Sequence, residues 1–122
     1  MDGLLLFAHG ARDPAWARPF ETIAERLRAA RPGTPLAMAY LEFMSPGIEE
    51  AAEQLAAAGC SRVHVLPLFL GTGGHVRRDI PPLLDRLRER HGDAIQWLLH
   101  APLGEQEAVL NAISLACLAI LE

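Results

Sequence analysis

Histidines follow several of the predicted β-strands in this 122-residue chain. His9 follows the first apolar run, His75 closes a glycine-rich loop after the third, and His100 follows the fourth. Because ligands of open parallel sheets bind at the carboxyl ends of the strands, we expect these imidazoles on one rim. Two imidazoles suit a late first-row divalent ion, and a site with few protein ligands can pass its metal on. We therefore predict that His9 and His75 handle a divalent metal.

Charged residues fall on the same predicted rim. Glu42, at the end of the second strand, is a candidate third ligand or base, and the alternative is an ion pair with Arg12 or a helix-terminus contact. Arg12, Arg77 and Arg78 flank the rim, and arginine forks suit carboxylates. A solvated charged face is the alternative for the three arginines.

A glycine-rich loop, GTGGH at 71–75, follows the third strand. Gly73 and Gly74 would let the backbone approach a large ligand closely. A phosphate cradle is the alternative, although the loop lacks the Walker Lys-Ser/Thr pair and the GxGxxG spacing. Pro67 cannot donate to a strand ladder, so we expect pairing to loosen there and residues 68–75 to form a wide loop above the site.

The remaining histidines have plainer interpretations. His64 lies inside the third strand and is predicted to be a core or packing residue. His91 lies in the last turn of the third helix, where a cation suits the helix dipole. His100 is less secure than His9 or His75 as a site residue, because the fourth strand could lie at the sheet edge.

Composition narrows the class of protein. The net charge of −4 and pI of about 5.7 argue against a nucleic-acid partner. Cys60 and Cys117 have no CxxC spacing, so we expect two reduced, packed thiols and a cytoplasmic location. The amino-terminal apolar run is interpreted as a strand rather than a signal peptide. The longest uncharged stretch, 108–121, is shorter than the roughly 20 residues of a membrane span, so no membrane partner is expected.

Four strand–helix units supply the frame for these residues, and one domain over 1–122 is expected. Alternating strands and helices predict an open, parallel, four-stranded sheet with helices on both faces. Right-handed crossovers leave few topologies, and among these we choose the order 2-1-3-4. Pro19 implies a separate first turn or a kink in helix one. The predicted strands are 3–8, 36–41, 62–68 and 95–99, and the predicted helices are 14–30 (N-cap Asp13), 46–58 (N-cap Ser45), 79 to about 91, and 105–121.

The fourth predicted helix is apolar around nearly its whole circumference. Such a helix has to be buried on all sides, which a four-stranded sheet in a small monomer does not easily provide. We predict a homodimer contact through 105–121, and the alternative is a helix packed on its own sheet with some exposed leucine.

Three segments carry a resemblance to a known family: LLFAHGARDP at 5–14, LEFMSPGIEEA at 41–51 and VLPLFLGTGGHVRRDIPPLL at 65–84. The third is the most specific. Over nearly its whole length the sequence resembles the small, single-domain sirohydrochlorin cobaltochelatases of cobalamin and sirohaem biosynthesis, which are metal chelatases that work without ATP. The family usually has serine where this chain has Ala11.

The resemblance implies a chelatase-like half domain that pairs as a homodimer, since larger members carry two such domains. It places the family's metal-binding histidines on His9 and His75 and its acidic residue on Glu42. The implied reaction is insertion of Co2+, or Fe2+ or Ni2+, into sirohydrochlorin without a permanent cofactor. Two alternatives remain: a carrier or regulatory protein that binds metal or tetrapyrrole without turnover, and a phosphate-ligand module built on the glycines of 71–74.

Overall fold

The computed structural model describes residues 1–71 and 73–122, and for positions 75 and 76 it describes only the backbone. The strands are β1 (Asp2–Ala8), β2 (Leu36–Tyr40), β3 (Arg62–Pro67) and β4 (Gln96–Leu99). The α-helices are α1 (Arg18–Ala30), α2 (Ile48–Ala57), α3 (Gly74–His91) and α4 (Glu107–Ile120). Short 3-10 turns lie at Pro14–Ala17, Gly92–Ala94 and Leu103–Glu105. Among the described residues, no helix is long and apolar enough to cross a membrane.

The four strands form one parallel sheet in the order β2-β1-β3-β4, which confirms the predicted fold class. Alternate residues of the central strands enter two separate cores. Leu5 and Phe7 pack with Val63 and Val65 against the apolar faces of α2 and α3. Leu6 and Ala8 pack on the opposite face, towards the Pro14–Ala17 turn and α1. The sheet therefore lies between two helical layers, as parallel strands require.

The start of helix one is a separate turn, one of the two outcomes expected from Pro19. The Asp13 carboxylate accepts a hydrogen bond from the Ala15 backbone N–H at 2.9 Å and caps the Pro14–Ala17 turn. The α-helix then begins at Arg18, which places Pro19 in its first turn, where the missing N–H costs no intrahelical bond.

Helix two begins later than predicted. Ser45 is not its N-cap, because the backbone becomes helical only at Ile48, after Gly47. The Pro46 carbonyl instead accepts a hydrogen bond from the Tyr40 N–H at 2.9 Å, and the Ser45–Pro46 peptide is cis. The segment between β2 and α2 is therefore folded back against the end of the strand.

Helix three begins earlier than the Asp79 start predicted from its prolines. The Arg77 N–H donates to the Gly73 carbonyl at 3.2 Å and closes a first turn before Pro81 and Pro82, which both lie inside the helix. The predicted loop over 68–75 is correspondingly shorter, and position 75 belongs to the first helical turn.

Pairing does not loosen at Pro67 as expected. Pro67 is the last residue of β3 and lies opposite Phe7, and the Leu68 N–H still donates to the Phe7 carbonyl at 2.8 Å. The proline is tolerated because it stands at the end of the strand rather than in its middle.

Helix α4 does not pack on its own sheet, so that alternative is wrong. None of its residues is buried, and Leu115 and Leu118 are more than half exposed. Cys117 is exposed as well, which contradicts the prediction that both cysteines are packed, whereas Cys60 is buried and its burial raises the pKa of its thiol.

Candidate functional site

The centre of the candidate site is a contact between His9 and Glu42. The His9 Nε2 and Glu42 Oε1 atoms lie 3.1 Å apart, and both side chains are about half exposed. Two backbone hydrogen bonds continue the pairing of the two chain segments past the ends of β1 and β2. The Leu41 N–H donates to the Ala8 carbonyl at 3.0 Å, and the Glu42 N–H donates to the His9 carbonyl at 3.1 Å. The two side chains therefore meet at the carboxyl end of β1 and β2.

Gly10 makes this close approach possible. Its φ of +94° is one that side-chain-bearing residues rarely adopt, and a Cβ at this position would collide with the Glu42 carbonyl oxygen. The glycine after His9 is therefore required both by its own conformation and by the neighbouring loop.

A groove opens beside the His9–Glu42 pair and is closed on its other side by α3. Its volume is about 400 Å³, and its lining residues are His9, Leu41, Glu42, Asp79, Pro82, Leu83 and Arg86. The residues contributed by α3 are spaced so that they share one face of the helix. The groove thus combines imidazole, carboxylate and guanidinium groups with an apolar wall.

Position 75 lies one helical turn before Asp79, in the first turn of α3. The side chain of His75 falls outside the part of the chain that the structure describes. Helical spacing nevertheless assigns positions 75, 79, 82 and 86 to one side of α3. The helix that forms one wall of the groove therefore carries the second predicted histidine in its first turn.

The predicted arginines divide between two places. The Arg12 guanidinium lies 4.8 Å from the centre of the Phe43 ring, a cation–π contact. Within the described part of the chain, Glu42 is paired with His9 and not with Arg12. Arg77 and Arg78 are exposed in the first turn of α3, where Arg78 Nε donates to the Gly74 carbonyl at 3.2 Å. Gly73 is the N-cap of this helix and Gly74 its first residue.

Sequence reasoning did not single out three residues near the His9–Glu42 pair, two that line the groove and one that follows Glu42 in the chain. Asp79 and Arg86 line it from α3, and Arg86 Nε also lies 3.4 Å from Glu49 Oε1 of α2. Phe43, with φ of +66° and an exposed ring, follows Glu42. Asp79 and Arg86 lie at helical spacing from His75, and this spacing is the signal that could have identified them. The prediction missed it because it started the helix at Asp79, after His75.

His100 does not join the rim, although it directly follows a strand. Leu99, at the end of β4, lies opposite Val65, which is level with Leu5, whereas β1 continues to Ala8. The short edge strand therefore ends well before the rim that carries His9.

His64 is not a core residue. It is about one-third exposed, and its ring makes hydrogen bonds to His100 and Asp2. His91 packs its ring 5.5 Å from that of Trp97 in the last turn of α3, in keeping with a structural role.

Comparisons with known proteins agree with one another. The chain matches the sequence model of the CbiX family over residues 3–116. It is 36% identical over 114 residues to the sirohydrochlorin cobaltochelatase of Saccharolobus solfataricus, covering 89% of this chain and 88% of that protein. The enzyme of the same name from Methanocaldococcus jannaschii is 32% identical over 91 residues, covering 75% of this chain and 64% of that protein.

Solved structures show the same architecture. A CbiX protein from Marinobacter aquaeolei VT8 superposes with a TM-score of 0.87 at 30% identity, covering 99% of this chain and 98% of that one. The sirohydrochlorin chelatase SirB from Bacillus subtilis subspecies spizizenii, solved in complex with cobalt, gives a TM-score of 0.79 at 26% identity. That match covers 93% of this chain but only 48% of SirB.

Proposed function

This chain belongs to the CbiX family, and from that membership we propose that it is a metal chelatase that inserts Co2+ into sirohydrochlorin. The observation that carries the proposal is the His9–Glu42 pair, 3.1 Å apart on the groove at the carboxyl end of the sheet. A metal ligand and a proton acceptor are the two groups that metallation of a tetrapyrrole needs.

In this mechanism His9 and His75 hold the incoming metal on one side of the macrocycle. Imidazole nitrogen suits cobalt, and the same preference admits Fe2+ or Ni2+ as alternative substrates. Few protein ligands leave coordination positions open for the pyrrole nitrogens. The metal is then transferred from imidazole to the ring rather than retained, and no permanent cofactor takes part.

Protons must leave as the metal enters. Sirohydrochlorin loses two pyrrole N–H protons for each divalent ion that it binds, so the exchange is neutral in charge. Glu42 accepts one proton through its carboxylate, and a neutral imidazole or water accepts the other. The half-exposed position of the His9–Glu42 pair gives both protons a route to solvent.

The substrate is rich in carboxylates, and the basic residues around the groove supply complementary groups. Arg12, Arg77 and Arg78 are proposed to steer and hold these carboxylates, while Gly73 and Gly74 let the ring approach the start of α3. The cation–π contact of Arg12 with Phe43 orients its guanidinium without neutralising it.

A homodimer through the 105–121 segment completes the proposal. Each leucine that a second copy covers would contribute about 1.5–3 kcal/mol, and α4 exposes several such side chains. The segment starts beside the rim, because the Gly104 N–H donates to the Phe69 carbonyl at 3.0 Å. Since the chain matches about half of SirB, a second copy would supply the other chelatase-like domain. We place this single 1–122 domain in the cytoplasm.

The decisive experiment mixes untagged protein with sirohydrochlorin and Co2+ and follows the absorption spectrum against a protein-free control. His9→Ala and His75→Ala should each reduce the protein-dependent rate at least 100-fold, while circular dichroism shows an unchanged fold. Glu42→Gln should lower the rate about 100-fold, at the lower end of general-base contributions. Glu89→Gln, an exposed change on α3, is the matched control and should have no effect.

Full activity in both histidine variants would exclude the proposed metal ligands. Spectral evidence of binding without product would indicate a carrier or regulatory protein instead of an enzyme. Binding of nucleotide or flavin with no response to cobalt would indicate a phosphate-ligand module.

A further inference from the structure

A second group of ligand-forming side chains lies away from the groove. His64 Nδ1 and His100 Nε2 are 2.8 Å apart, with their rings stacked at a centroid distance of 5.1 Å. The other nitrogen of His64, Nε2, lies 3.1 Å from Asp2 Oδ2. Asp2 is itself bound by the Arg62 guanidinium through Nε and through Nη2 at 2.8 Å.

This cluster is separate from the chelatase groove. His64 lies opposite Leu4 of β1, and His9 is five residues further along the chain. At about 3.3 Å per residue, the two histidines are roughly 16 Å apart along the strand direction. His100 is exposed and His64 about one-third exposed, so an ion from solvent can reach the pair.

The hydrogen bonds determine which nitrogen of His64 carries its proton. The Arg62 guanidinium donates to both carboxylate oxygens of Asp2, through Nε at 3.1 Å and through Nη2 at 2.8 Å, and this ion pair presents Asp2 as a carboxylate. An ionised carboxylate only accepts, and His64 Nε2 must therefore donate to it. With the proton on Nε2, the lone pair of the His64 ring lies on Nδ1, which faces His100.

A carboxylate, a histidine and an outward lone pair form the arrangement in which proteins commonly support a metal-ligating imidazole. The carboxylate fixes the tautomer and the ring orientation and increases the basicity of the ligand nitrogen. Here the lone pair of His64 meets a second imidazole, on the exposed residue that follows the short edge strand. The cluster thus contains two nitrogen ligands, one of which is already oriented.

We propose that His64 and His100 form a second site for a late first-row divalent cation, with Asp2 as the positioning residue behind His64. In the described part of the chain, no group of three or more histidine, cysteine, aspartate or glutamate side chains is placed to hold a metal ion by itself. Water or an exogenous ligand therefore fills the remaining positions. Imidazole pairs favour Zn2+, Ni2+, Co2+ and Cu2+ over Mg2+ or Ca2+.

The hydrogen-bonded pair becomes a chelating pair when the two nitrogens move apart and the rings turn their lone pairs towards the metal. Two Zn–N bonds of 2.0–2.1 Å in tetrahedral geometry separate their nitrogens by about 3.3 Å, roughly half an ångström more than the present contact. His100 must also carry its proton on Nδ1, so that Nε2 offers its lone pair. Its place after the end of an edge strand allows both changes.

The test uses a background in which the two proposed chelatase histidines and the exposed thiol are removed. Untagged His9→Ala/His75→Ala/Cys117→Ser protein lacks the proposed chelatase ligands and the exposed thiol. It is titrated with Zn2+ by calorimetry and with Co2+ by visible absorption. We expect one equivalent of either ion to bind, with ligand-field bands for Co2+ that indicate nitrogen ligation.

Variants in this background then identify the ligands. His100→Ala should weaken binding at least 10-fold, and Asp2→Asn should weaken it about 10- to 100-fold, as expected for loss of a carboxylate partner. Asp93→Asn, in the exposed Gly92–Ala94 turn, is the matched control and should bind like the background.

Absence of binding in the background protein, or unchanged affinity in His100→Ala, would overturn the proposal and leave the cluster as a hydrogen-bonded link between strands. Because His100 is exposed beyond the end of β4, its replacement should not unfold the domain, and circular dichroism checks this. Neither result bears on the chelatase proposal, since that site is absent from the background.

Discussion

Replacing Gly10 with alanine tests how closely the site depends on backbone geometry. The residue has φ of +94°, and an added Cβ would meet the carbonyl oxygen of Glu42. Gly59 has a similar φ of +90° but nothing within 4 Å of the added Cβ, so it isolates the conformational cost. Gly33 has open space and no positive φ, so it serves as the neutral reference.

The three substitutions should form a graded series in the free energy of unfolding. Gly33→Ala should be neutral or stabilise by up to about 1 kcal/mol, because it restricts the unfolded chain. Gly59→Ala should cost about 1–2 kcal/mol, the penalty of a left-handed backbone for a residue with a Cβ. Gly10→Ala adds a steric overlap of about 1–3 kcal/mol, for a total of about 2–5 kcal/mol.

Urea unfolding followed by circular dichroism measures all three variants under one set of conditions. Chelatase activity, measured where Gly10→Ala remains folded, should fall as well, because relief of the overlap moves Glu42 relative to His9. Equal destabilisation by Gly10→Ala and Gly59→Ala would refute the argument that the Glu42 loop packs against this glycine.

Two further predictions concern charge and assembly. The lowered pKa of Asp2 means that its ion pairing stabilises the fold above its ordinary value of 3.8 and is lost as the pH falls through about 2. The stability difference between the native chain and Asp2→Asn should therefore reach its full value by about pH 5, fall as the pH is lowered and vanish only at about pH 1; a difference that keeps its full value at about pH 1 would contradict it. In sedimentation experiments at micromolar concentration, Leu115→Glu/Leu118→Glu should convert a dimer into a folded monomer, whereas Ala29→Glu on α1 should leave it dimeric. A native chain that is already monomeric would refute the assembly through α4.

Local sequence signals predicted the sheet well because each strand is a near-continuous apolar run between recognisable breaks. Alternation and crossover handedness left few topologies, and the order 2-1-3-4 chosen among them is the one observed. Prolines gave the larger errors. Pro81 and Pro82 predicted the start of α3, yet the helix begins at Gly74 because its first turn closes independently of them.

His9 and Glu42 were predicted to share a rim because each follows a strand, and this information is present in the sequence. Their 3.1 Å contact and the groove beside them depend on where α3 lies across the strand ends, which is a property of packing. The separation of His100 from that rim depends on the register of β4, and no local signal determines a register between strands. The sequence alone thus determined which residues could ligate a metal, and the tertiary structure decided which of them meet, because interatomic distance depends on register and helix placement.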